Sequence, residues 1–219
     1  MPIAPALTRD GAFLESSECN EPMLGSVNVP PAAMPQCDDP SRLIANPAVG
    51  MRGTILRTGS ETNGELFEVE FLVEPGDWTG PDHIHLRQEE RFEIVSGTLR
   101  LRVAGREELL TPGSTRVLSP STSHNLRNDG PDEARFLLQL RPALRMEAYL
   151  RDLWRAANAG SKRRWGAPSI LQLAVIQREY PDEFFYLSRP PVRAQKALLG
   201  ALAVLGRARG YRASRDQRH

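Results

Sequence analysis

Four side chains in one stretch of this chain have the types and spacing to hold a metal ion: His83, His85, Glu90 and His124. His83 and His85 stand two apart in Gly80-Pro-Asp-His-Ile-His, a segment of β character. Both imidazoles then leave the same face of a strand, with Cα atoms roughly 6–7 Å apart. From there both rings reach one ion at about 2.1 Å. Glu90 lies five positions beyond His85, the wrong parity for that face of a continuous strand. The chain must therefore turn between Leu86 and Glu89, and Glu90 opens the next strand with Phe92 and Ile94 on its face. His124 has to arrive from a more distant strand, which a closed β-barrel supplies. Three imidazoles and one carboxylate suit a first-row transition metal and leave one or two positions for substrate or oxygen. The chain has four histidines, the fourth being the terminal His219, and three of the four at ligand spacing favour a metal site over a hydrogen-bonded cluster.

The same residues carry a family resemblance. Gly80-x2-His83-x-His85-x4-Glu90-x6-Gly97 resembles the first cupin motif, with a shorter gap after its leading glycine. Gly113-x5-Ser119-x-Ser121-x2-His124-x3-Asn128 resembles the second, with Ser119 and Ser121 where that motif usually has Pro and Gly. Both departures fall in a turn. The resemblance implies a single cupin barrel, a double-stranded β-helix or jelly roll, holding one divalent ion (Fe, Mn, Ni, Cu or Zn) through His83, His85, Glu90 and His124. It implies an enzyme acting on a small organic molecule, foremost an oxygenase of the dioxygenase type, with Glu90 also in a catalytic role. Redox-neutral isomerisation, cyclisation or decarboxylation is the alternative, and non-catalytic binding of a small molecule is a third reading. Trp78, Phe92 and Ile94 are the candidate walls of a substrate pocket.

The surrounding elements fit a mainly β chain with a helical extension. Residues 1–47 hold eight of the 18 prolines, which remove backbone donors and oppose long regular elements. This segment reads as an arm. From Met51 the pattern has period near 2: Thr54–Arg57, Glu65–Val73, Arg91–Ser96, Thr98–Val103, Ser114–Leu118, Asn125–Asn128 and Ala134–Leu140. Turn residues separate them at Thr62–Gly64, Ser96–Gly97, Ala104–Gly105, Thr111–Gly113 and Asn128–Pro131. Short strands at this spacing predict an antiparallel jelly-roll barrel over 48–142. Beyond Pro142 the period becomes helical, with helices predicted over Leu144–Ala157, Ile170–Tyr180 and Val192–Gly206, a C-terminal extension over 143–219.

Composition is that of a globular chain, with a net charge of +1, so nothing global points to nucleic acid. The first residues show neither a basic region nor a sustained apolar run, and no segment reaches the roughly 20 apolar residues of a membrane span. The sequence predicts a cytoplasmic protein with Cys19 and Cys37 as reduced thiols. The expected partners are a small-molecule substrate and a second copy of the chain as a homodimer. The last predicted helix is nearly all apolar, and arginines follow it. Packing on the barrel is its favoured role, and attachment to an anionic membrane surface is the alternative.

Overall fold

The computed structural model describes residues 39–47, 50–159 and 168–213. The readings of Cys19, Cys37, most of the proline-rich arm and the last residues of the basic tail lie outside the described residues. In chain order the elements are β1 (Leu43–Asn46), β2 (Met51–Arg57), β3 (Phe67–Val73), β4 (His83–Ile84), β5 (Glu89–Ser96), β6 (Leu99–Val103), β7 (Arg106–Leu110), β8 (Thr115–Leu118), β9 (His124–Arg127), β10 (Ala134–Arg141), α1 (Met146–Ala159), α2 (Ile170–Glu179), β11 (Tyr186–Leu187) and α3 (Val192–Ala208). They form two antiparallel sheets, ordered β1-β2-β3-β10-β5-β8 and β11-β4-β9-β6-β7. Mainly β, with two facing sheets and three helices, this is the jelly-roll architecture that the strand spacing predicts.

Alternation sets the two faces of each strand. In β10 the residues Ala134, Phe136, Leu138 and Leu140 are buried, the residues between them half-buried and the last, Arg141, exposed. In β6 Leu99 and Leu101 are fully buried, while Arg100 pairs outward with Asp129. β3 is buried along its whole length. Its outer glutamates are matched from β10, where Arg135 bonds Glu70 and Gln139 bonds Glu68, each at 2.5 Å. A buried carboxylate without such a partner would cost several kcal/mol, on the order of 3–5.

Three strands add to the sequence reading. Leu43–Asn46, read as part of the arm, pairs with β2 from Leu43↔Thr54 to Asn46↔Met51. α1 covers it, where Asn158 Nδ2 donates to the Ala45 carbonyl at 3.1 Å. β7 has no period-2 pattern because it is an exposed edge: of its five residues Leu110 alone is buried, and charges on such a strand discourage pairing with another chain. β11 is two residues long and is set by its pairing with β4.

The helices after Pro142 share the barrel's interior. Buried residues of both form one continuous core, in which Trp154 of α1 meets Phe71 of β3 with ring centroids 5.7 Å apart. Gly97 closes the hairpin from β5 to β6 with φ +72°, and a Cβ there would lie 2.7 Å from Ala134 Cα. Neither the conformation nor the space admits a side chain. Gly97→Ala is expected to destabilise the fold by about 3 kcal/mol, lowering the thermal midpoint by roughly 10 °C in a calorimetric scan. An unchanged midpoint would refute this account of the turn.

Candidate metal centre

Antiparallel pairing of β4 and β9 sets His83 directly opposite His124, with ring centroids 4.5 Å apart. His85 returns to the same face, 5.4 Å from the His83 ring and 5.6 Å from that of His124. The chain then turns through Leu86–Gln88 and re-enters the other sheet at Glu89. On β5 the inward positions are Glu90, Phe92 and Ile94. Glu90 Oε2 reaches 2.7 Å from His124 Nε2 and 3.4 Å from His85 Nε2. One nitrogen from each imidazole lies within 4.8 Å of the other two. Two donors on one ion at about 2.1 Å are at most about 4.2 Å apart, so small side-chain rotations close the three rings on a single ion.

The outer nitrogen of each ring is held by an oxygen that can only accept. His83 Nδ1 donates to the Pro81 carbonyl at 2.9 Å and His124 Nδ1 to the Thr122 carbonyl at 3.0 Å. Gln88 Nε2 donates to the carbonyls of Pro142 (2.9 Å) and Ala143 (3.2 Å), which turns its Oε1 toward His85 Nδ1 at 3.4 Å. With protons on Nδ1, every Nε2 presents a lone pair to the centre. His85 Nε2, His124 Nε2 and Glu90 Oε2 are buried without a hydrogen-bond donor. Two acceptors 2.7 Å apart in a dry site require a positive species beside them, either a proton or a metal. The donor set therefore fits a divalent transition ion.

Titration behaviour follows from the same geometry. Burial pushes His83 down to about 3, and the neighbouring His124 and His85 add to the shift. Burial also lowers His85, with Glu90 opposing. For Glu90 burial acts upward, but the imidazoles of His85 and His124 outweigh it and hold the carboxyl at about 2. Burial lowers His124, yet the Glu90 carboxylate reverses this and leaves it raised. Without metal, the His124 imidazolium and the Glu90 carboxylate form the pair that a metal would replace.

A cavity of about 410 Å³ opens onto this cluster, walled by the barrel on one side and by the helical extension on the other. Trp78 and Phe92 line it. Ile94, one inward position further from Glu90, lies in the core and is not part of the lining. Much of the wall was not read from sequence. Phe185, just before β11, packs tilted 4.9 Å from the His83 ring and edge-on 4.8 Å from that of His85. Tyr149 lies behind it, its hydroxyl accepting from Phe185 N at 3.3 Å. Gln195 of α3 clips both the N–H and the carbonyl of Leu187, at 3.1 and 2.8 Å. The run Phe184-Phe185-Tyr186 was the available signal, since three consecutive aromatics between helices need something to cover. Asn128, in the second motif, is structural: its amide ties the Val73 and Asp132 carbonyls and the Gly130 N–H.

Residues 69–139 match the family model described as a cupin domain. The chain carries a cupin domain. All four residues of the site fall inside the matched segment. No curated protein matches the chain's sequence. Among solved structures, the chain is similar to a predicted oxalate decarboxylase from Thermotoga maritima, at 18% identity over 42% of this chain and 80% of that one, with a TM-score of 0.41. It is similar to KdgF from Halomonas sp., at 22% identity over 42% and 81% of the two chains, TM-score 0.38. It is also similar to the polyketide cyclase RemF from Streptomyces resistomycificus, at 22% identity over 42% and 65%, TM-score 0.38. Each of these likenesses spans less than half of this chain.

Proposed function

We propose that this cupin is a mononuclear metal-dependent oxygenase whose substrate is a small, uncharged, largely apolar organic molecule. The observation that carries the reading is the chemistry of the cavity wall. Among the described residues that line it there is no Lys, Arg, Asp or Cys, and Glu90 is the sole carboxylate. A phosphorylated or polyanionic substrate would lose its hydration there without gaining a partner. Redox-neutral isomerisation or cyclisation needs an acid or base free to move a proton at the substrate. In this lining the three imidazoles and the one carboxylate all face the metal position.

His83, His85, His124 and Glu90 would hold the ion, and the Nδ1 bonds described above would fix their orientation. When bound, a redox-active divalent metal polarises a substrate oxygen and activates dioxygen beside it. Glu90 lowers the charge of a divalent site from +2 to +1. Phe185 and Phe92 pack against the imidazoles and exclude water from the reacting end. Trp78 and the aliphatic residues of the extension hold the rest of the substrate.

The test joins elemental analysis of protein purified without added metal to oxygen uptake with uncharged hydroxylated aromatic and aliphatic compounds. Substrate-dependent uptake with iron, manganese, nickel or copper, and none with zinc, is the expected result. Turnover by the zinc form without oxygen would replace this reading with the redox-neutral one.

A further inference from the structure

The outward side of α3 is unlike that of an ordinary surface helix. Leu198, Val204 and Leu205 are 60%, 69% and 51% exposed, and alanines fill the positions between them on that side. The inward side, with Gln195, Leu199, Ala203 and Gly206, is buried against the protein, so the outer apolar residues are not core that strayed outward. From Ser188 to Ala213 the chain has six cations, Arg189, Arg193, Lys196, Arg207, Arg209 and Arg212, and no acidic residue. None of the six forms an ion pair among the described residues. The cavity reaches this helix, with Gln195, Leu198 and Leu199 in its lining. Of its lining residues five are also exposed, Ile170, Leu187, Pro190 and Leu198 of the extension and Pro81 beside the metal position.

We propose that this face docks on an anionic lipid surface, with the outer residues of α3 in the headgroup boundary and the cavity mouth turned toward the bilayer. Apolar residues flanked by cations without acidic partners match the apolar and anionic layers of such a surface. A second copy of the chain is a poorer occupant. A two-fold interface sets the same patch against itself, and here it would oppose six cations to six with no acid between them. No described helix is long and apolar enough to cross a membrane, so the contact is one of surface attachment. An apolar substrate partitions into lipid, and a mouth facing the bilayer receives it without passage through water. Docking itself does not rest on the oxygenase reading, because vesicle binding is measured without turnover.

The test is flotation of the full chain with phosphatidylcholine vesicles, alone or mixed with phosphatidylglycerol. The protein is expected to float with the mixed vesicles and to release as salt rises. Val204→Glu with Leu205→Glu, and separately Arg193→Glu with Arg207→Glu, should each reduce the floated fraction about tenfold while the far-ultraviolet circular dichroism spectrum stays unchanged. Failure to float with mixed vesicles overturns the proposal, as does binding that neither pair of substitutions alters. So does a wild-type dimer that the Val204→Glu, Leu205→Glu protein splits into monomers by light scattering, which would make a second copy the occupant. Flotation that appears only after removal of residues 1–38 would overturn it in favour of the chain's own N-terminal segment.

Discussion

Alanine at both His83 and His85 is expected to leave a folded, β-rich protein that retains no stoichiometric metal. The rings contribute donors to the centre and little to the barrel's cohesion, since Phe71, Phe136, Ile94 and Leu101 hold the core without them. The same substitutions alter acid stability in a direction that the site geometry dictates. In the metal-free protein His83 has its folded pKa depressed to about 3, and His85 is depressed as well. The unfolded chain takes up these protons first, near a pKa of about 6.5, so stability is present above that value and falls as pH drops through the window below it. Each group contributes a slope of about 1.4 kcal/mol per pH unit. His124 has the opposite sign: its folded pKa is raised, so its contribution is present below about 6.5 and is lost as pH rises through the higher folded value. Denaturant titrations of metal-free protein between about pH 7 and about pH 4 should show a markedly flatter dependence in the double variant. Full metal content in that variant, by elemental analysis, would sink the site.

Glu90→Gln separates holding the metal from acting on substrate. Loss of the carboxylate returns a divalent site to a charge of +2, and affinity should fall by about 100-fold or more, beyond the usual loss for a group one shell further out. If Glu90 only holds the ion, excess metal restores most of the oxygen uptake, and this is the expected outcome. A rate that stays low at saturating metal would give Glu90 a proton-transfer role, because an amide cannot accept that proton. Proton resonances of the imidazoles supply a second readout in the metal-free protein. The Glu90 carboxylate is what lifts His124 against its burial, so the variant's His124 should titrate at lower pH than in the wild type. An unmoved His124 would show that the 2.7 Å contact is not the source of the shift.

The chemistry of this molecule was more legible in its sequence than the shape of its cavity. His83 and His85 stand out because two residues is the repeat of a strand, and parity alone demands the turn that brings Glu90 back. His124 was reached through the spacing from Gly113 to Asn128. Trp78 and Phe92 were found because they adjoin the ligands along the chain. Phe185, Tyr149 and Gln195 could not be found that way, because their place depends on how the segment after Pro142 folds back over the barrel. β7 and β11 escaped for a related reason. A charged edge strand and a two-residue strand carry no internal period, and each exists through its neighbour. Leu43–Asn46 lay beneath a proline-rich composition that argues against long elements but not against four residues of sheet.

The four candidate ligands come from β4 and the residue after it, from β5 and from β9, whereas Leu153, Leu173 and Leu199, on the opposite wall, come from the three helices. The reacting groups thus lie in the barrel alone, while the fit is shared between barrel and helices. Substitutions in the helices can redraw their part of the outline while the donor atoms keep their positions, and a graft of the extension onto another barrel would carry that part without the chemistry. The strand pairing of Tyr186 with Ile84 is the hinge between these parts. It is where a change of clientele would have to leave the backbone untouched.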